Sequence, residues 1–139
     1  MEGLKIRWMA REDIPCVESM SEKSEMRVPV LDMTKKSNII CVVSEANGIV
    51  NGFSSYKLGS SKITIKHLVV DEQFRRMGVA TSIVLRLLSK MNEKRSVIET
   101  SVSEYNLVAH MFFKAMAFKA ESIVDCDQES QYVFRRRLN

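Results

Sequence analysis

The junction between Val70 and Val79 constrains this chain more than any other stretch. Before it, Ile63-Thr64-Ile65-Lys66-His67-Leu68-Val69-Val70 is apolar and rich in β-branched residues, which predicts a strand. Asp71-Glu72-Gln73-Phe74 is a polar connector, and Arg75-Arg76-Met77-Gly78 is a basic turn that ends in glycine. From Val79 the period changes. Val79, Ile83, Leu87 and Met91 fall on one stripe, widened by Ala80, Val84 and Leu88, and this predicts an amphipathic helix.

A helix start leaves several backbone N–H groups without intrahelical partners, and the helix dipole adds about half a positive charge there. Gly78 lets the backbone approach an anion with no Cβ in the way, while Arg75 and Arg76 add positive charge beside it. The junction therefore reads as a phosphate cradle. It is not a P-loop, because no Gly-Lys-Ser/Thr follows, and it lacks the spaced glycines of a dinucleotide fingerprint.

The remaining pattern supplies the fold class. Leu4 to Met9 alternates and predicts a first strand; Asp13 before Ile14-Pro15 predicts an N-cap and a helix to about Met20. Ser21 to Ser37 is polar, contains Pro29, and is read either as a wall of an acceptor pocket or as a connector, with a short helical turn over Val30 to Lys36. Ile39 to Val43 and Ile49 to Leu58 are strands joined through Asn47-Gly48, a type I′ hairpin signal, and Gly52 marks a bulge or a close approach. Ser96 to Val102 is a strand. Asn106 to Met116 is a helix whose apolar surface is Leu107, Ala109, Met111, Phe112, Phe113 and Met116. Phe118 to Cys126 and Gln131 to Arg137 form a closing pair. The order β-α-β-β-β-α-β-α-β-β describes a single α+β domain over residues 1–139, a mixed central β-sheet with flanking helices.

Composition narrows the function classes. The 139 residues suffice for one core, and with no run of ~18 apolar residues no membrane span is expected. The first residues lack the apolar centre of a secretory signal, so a cytoplasmic protein is expected. Cys16, Cys41 and Cys126 are odd in number and far apart, which predicts reduced core thiols. The two histidines give no metal-ligand spacing, so no metal is expected. The net charge of +4 permits an acidic partner, but Arg135-Arg136-Arg137 reads as the solvated end of a terminal strand rather than a nucleic-acid patch.

Two motifs carry a family resemblance. Leu68-Val69-Val70 followed by Arg75-x-x-Gly78-x-Ala80 is one; Asn106-x-x-Ala109-x-x-Phe112-Phe113 running to Ala117-Phe118 is the other. In this order and at this separation they resemble the GNAT family of acetyl-CoA-dependent N-acetyltransferases, most of all the branch that acetylates the N-termini of ribosomal proteins. The resemblance spans the whole chain. It implies that the backbone of Leu68, Val69 and Val70 binds the pantetheine arm of acetyl-CoA, that Arg76, Met77, Gly78, Val79, Ala80 and Thr81 wrap the pyrophosphate with Arg75 adding charge, and that Asn106 contacts the cosubstrate from the later helix. It implies an amine acceptor, in this branch a protein N-terminus, and allows a homodimer paired through the closing strands.

The chain departs from the family pattern at three positions. The tyrosine that protonates the departing thiolate is replaced by Phe113. The Glu or His base five residues before the asparagine is replaced by Ser101, and the glycine near the end of the second motif by Ala117, which strains a helix C-cap. Ser101 relaying a water, Glu99 on the same strand face, and Glu104 or Tyr105 in the following loop are the base candidates; His67 reads as a core histidine. A weak base favours α-amines, roughly a quarter of which are neutral near pH 7.4, over lysine, of which only ~0.1% is neutral. That difference is worth roughly 3.5 kcal/mol. The main expectation is acetyl transfer by direct attack in a ternary complex. Phe113 and Ser101 also fit an acyl-CoA-binding module with little turnover, and a small-molecule amine is the alternative acceptor.

Overall fold

A computed structural model describes residues 3–23 and 38–138. The turn expected over Val30 to Lys36 lies outside them. The strands are β1 (Leu4–Trp8), β2 (Ile39–Ala46), β3 (Ile49–Leu58), β4 (Lys62–Val70), β5 (Val97–Ser103), β6 (Lys119–Asp125) and β7 (Ser130–Arg137). The α-helices among the described residues are α1 (Ile14–Lys23), α2 (Val79–Leu88) and α3 (Leu107–Ala115), with 3-10 turns at Arg11–Asp13 and Glu72–Phe74. The seven strands lie in the order β1-β2-β3-β4-β5-β7-β6, so β7 inserts between β5 and β6 and the sheet is mixed, as expected. Among the described residues no helix is long and apolar enough to cross a membrane.

The chain packs as two compact units, Met1–Leu58 with Lys66–Lys90, and Gly59–Ile65 with Met91–Asn139. In the first, β1, β2 and β3 form an antiparallel meander. Asn47 (φ 54°) and Gly48 (φ 79°) both take the left-handed conformation that a type I′ turn demands. Ser44 pairs with Gly52 and Glu45 with Val50, so Asn51 is the extra residue of a bulge. One sheet face carries Val43, Phe53 and Val69, closed by Val17 and Met20 of α1. Asp13 acts backwards along the chain. Its carboxylate accepts from Ala10 N and from both terminal nitrogens of Arg7, at 2.7 to 2.9 Å, and so ties β1 to the start of α1.

Helix α2 buries Val79, Ile83, Val84 and Leu87 to 1% exposure or less, the stripe that its period predicts, although the helix stops at Leu88 and leaves Met91 outside. Each such side chain contributes about 1.5–3 kcal/mol. Gly52 is the reason α2 can lie so close to β3. A Cβ there would stand 2.7 Å from Val79 Cγ1 and 3.1 Å from Ile83 Cδ1.

In the second unit, β4 starts parallel to β5, Lys62 facing Val97 and Ile65 facing Thr100, and β7 pairs antiparallel with β5 and β6. The face carrying Thr100 and Phe134 packs against α3 through Phe113, and Phe118 completes an aromatic group with ring centroids 5.1 to 6.2 Å from Phe113. Of the apolar surface expected for α3, only Phe113 is buried within the helix; Leu107 and Met111 are exposed. The thiols also depart from expectation, since Cys16 and Cys126 are exposed and only Cys41 is partly buried; all three are free.

Candidate active site

The cradle is built by backbone conformation. Arg76 (φ 66°) and Gly78 (φ 81°) both take the left-handed region, which a non-glycine residue seldom adopts. Gly78 is the N-cap of α2, and among the described residues no side chain caps this end. The first intrahelical bond runs from Ser82 N to Gly78 O at 2.9 Å, so the amides of Val79, Ala80 and Thr81 have no intrahelical acceptor. Among the described residues the space around Gly78 is open, with nothing within 4 Å of where a Cβ would stand. Arg75, Arg76 and Met77 are exposed on the same turn.

The corner that leads into the turn is anchored from β3. Asp71 N donates to Asn51 O at 2.9 Å, and the Asp71 carboxylate accepts from Gln73 N at 3.0 Å. Leu68 and Val70 are half-buried, whereas Val69 points into the α1 core. These residues all belong to the first unit.

Glu99, Ser101, Tyr105 and Asn106 belong to the second unit. Alternation along β5 puts Glu99 and Ser101 on one face and buries Ile98, Thr100 and Val102 on the other. Glu99 is occupied. It accepts from Lys62 Nζ and from Arg135 Nε, both at 2.8 Å. Burial pushes its carboxyl up, but these two cations outweigh burial and hold it below its ordinary value. A carboxylate in that state is a weak base. Ser101 is exposed, as is Tyr105, and neither side-chain oxygen has a hydrogen-bond partner among the described residues. Glu104 accepts from Ser130 N at 3.1 Å, which fixes the loop. Asn106 caps α3, its Oδ1 accepting from Ala109 N at 3.1 Å and leaving its amide nitrogen for a ligand. Phe113 is buried in the aromatic group, so the place of the expected tyrosine is a packing position here.

The basic tail is also committed. Arg135 pairs with Glu99 and Glu121, Arg137 pairs with Glu121, and Arg136 donates to Met116 O at 2.8 Å. Among the described residues no group of three or more His, Cys, Asp and Glu is placed to hold a metal ion.

One feature of this region lies outside the two motifs. Ser54 and Ser55, fully buried in β3, both bond to His67: Ser54 Oγ donates to its carbonyl and Ser55 Oγ meets its Nδ1, each at 2.8 Å. The signal was present as two adjacent serines inside a strand that otherwise buries its residues, where hydroxyls need partners.

Comparison with known proteins gives a consistent result. The model of the acetyltransferase (GNAT) family matches residues 5–118. No curated protein matches the chain. Among solved structures, Ard1 from Thermoplasma volcanium is similar at 24% identity, covering 99% of both chains with a TM-score of 0.85. The ribosomal-protein-S18-alanine N-acetyltransferase from Escherichia coli is similar at 12% identity over 97% of this chain and 94% of that one, TM-score 0.83. PaiA N-acetyltransferase from Thermoplasma acidophilum, in complex with coenzyme A, is similar at 15% identity over 96% and 98%, TM-score 0.78.

Proposed function

The chain belongs to the acetyltransferase (GNAT) family, and from that premise we propose that it transfers the acetyl group of acetyl-CoA to a primary amine, the α-amine of a protein or peptide N-terminus. The observation that carries this reading is the cradle: three helix-start amides without intrahelical acceptors, behind a left-handed Gly78 and beside Arg75 and Arg76. These groups fit a pyrophosphate, since amides and guanidinium groups both donate to phosphate oxygens. Leu68, Val69 and Val70 present strand backbone to the pantetheine arm, and the Asn106 amide nitrogen is a further donor.

Acetyl-CoA supplies an activated acyl group on a thiol whose pKa, taken as that of cysteine, is about 8.5. Such a thiolate departs without prior protonation, so Phe113 at the tyrosine position is compatible with transfer. The protein holds the reacting groups together, and the acceptor attacks as the neutral amine. Ser101 and Tyr105 are exposed and uncommitted, and in this reading they hydrogen-bond the incoming amine. Glu99, fixed by Lys62 and Arg135, serves to organise its strand face. Without a strong base, low-pKa amines are preferred, which supports an N-terminal acceptor over lysine.

Thiol release from acetyl-CoA, measured with N-terminal peptides, lysine, polyamines and aminoglycosides, tests the reading. Release with the peptides is expected. Tight acetyl-CoA binding with no release for any amine would instead favour a binding module.

A further inference from the structure

We propose that His67 is the group that takes the proton from the attacking amine, oriented for that task by Ser54 and Ser55. The inference rests on the acetyltransferase reading above and deepens it.

The position follows from the cradle. If Gly78 and the start of α2 hold the pyrophosphate, the pantetheine arm runs back along β4 past Val70, Val69 and Leu68. Its thioester end then arrives at the part of the strand that carries His67. A strand advances about 3.3 Å per residue, so His67 stands roughly 10 Å behind Val70.

The imidazole is built for use. It shares the α1 side of the sheet with Val69, two residues along the strand, yet it is only half-buried while Val69 is closed over. Ser54 and Ser55 fix its carbonyl and its Nδ1. Burying two serines inside a strand costs free energy unless their hydroxyls are used, and both are spent on this one residue. Among the described residues Nε2 has no hydrogen-bond partner. When Nδ1–H donates to Ser55 Oγ, Nε2 carries the lone pair. Burial, together with the Lys66 charge, keeps the ring below its ordinary pKa and therefore neutral at pH 7. Of the other base candidates, Glu99 is ion-paired and Glu104 accepts from Ser130 N, while the Ser101 and Tyr105 hydroxyls are assigned to holding the amine.

The step balances as follows. The amine nitrogen forms a bond to the acyl carbon, the carbon–sulfur bond breaks, and its electron pair leaves on sulfur. The proton lost by nitrogen passes to Nε2 and then to solvent or the thiolate.

Two measurements test the proposal. Nitrogen-15 NMR of the free protein at pH 7.4, where His67 and His110 are the only imidazoles, is expected to show His67 as the Nδ1–H tautomer. The Nε2–H tautomer would overturn the proposal, independently of any variant. His67→Gln keeps a partner for Ser55 but cannot accept the proton. It is expected to lower kcat by about 10²–10⁴, with the acetyl-CoA Kd and Tm of wild type, and Ser55→Ala is expected to reduce kcat less. A His67→Gln enzyme within twofold of wild type in kcat would refute the role. Wild-type protein that binds acetyl-CoA and acetylates no amine would sink the parent reading as well, a result distinct from an active enzyme indifferent to His67.

Discussion

Phe118 N donates to the Phe113 carbonyl across Ala117 at 2.9 Å, and the two rings meet edge to face with centroids 5.1 Å apart. With Ala117 N donating to Lys114 O at 3.0 Å, this is a complete Schellman motif. Its left-handed position is filled by alanine at φ 65°. The contacts of the motif over-determine a conformation that alanine resists by about 1–2 kcal/mol. Ala117→Gly is therefore expected to gain about 1 kcal/mol, near 3 °C in Tm. Thermal denaturation checks it, and an unchanged or lower Tm would mean the strain is relieved elsewhere.

The contact of Gly52 with α2 makes the opposite prediction. A Cβ at 2.7 Å from Val79 Cγ1 has nowhere to go, because Val79 and Ile83 are 1% and 0% exposed. Gly52→Ala is expected to cost about 1–3 kcal/mol. It also shifts the first turn of α2, whose amides form the cradle, so acetyl-CoA binding weakens by about tenfold, or ~1.4 kcal/mol. Calorimetry on the folded variant measures this, and wild-type affinity would separate the cradle from its packing.

Asn51 is fully buried and, among the described residues, neither its side-chain amide oxygen nor its side-chain nitrogen has a partner. Its backbone carbonyl accepts from Asp71 N. An unpaired buried amide costs about 1–3 kcal/mol, so Asn51→Val is expected to raise stability in urea by about 1–2 kcal/mol. A loss of stability would show that the amide has a partner of its own in solution.

Acid lability follows from two carboxylates. The hydrogen bonds from Arg7 hold the Asp13 carboxyl below its ordinary range against the cost of burial, and Lys62 with Arg135 do the same for Glu99. Both folded values lie below the unfolded ones of about 3.9 and 4.3. Their stabilisation is thus fully present above about pH 5 and is lost as pH falls through the folded values. Urea midpoints from pH 7 to pH 2.5 should drop below about pH 4.5, and Asp13→Asn should flatten that limb. An unchanged limb would remove Asp13 as its source.

What the sequence made legible was local. Asn47-Gly48 dictates its hairpin by itself, and the Val79, Ile83, Leu87 stripe dictates α2. Periodicity failed where it had to know what covers a face. Leu107 and Met111 sit at helical spacing, yet they are 68% and 72% exposed. The candidate site failed in the same way. Glu99 reads from the sequence as a base candidate because its two cations arrive from β4 and β7, through registers that no short motif encodes. The clamp of Ser54 and Ser55 on His67 likewise depends on a partner in another strand.

The most direct test uses one peptide bearing both a free N-terminal α-amine and an internal lysine, incubated with acetyl-CoA and sequenced by mass spectrometry. The account predicts acetyl on the N-terminal nitrogen, with lysine untouched. Acetyl on the lysine side chain, or on neither amine from protein that binds acetyl-CoA, would contradict it.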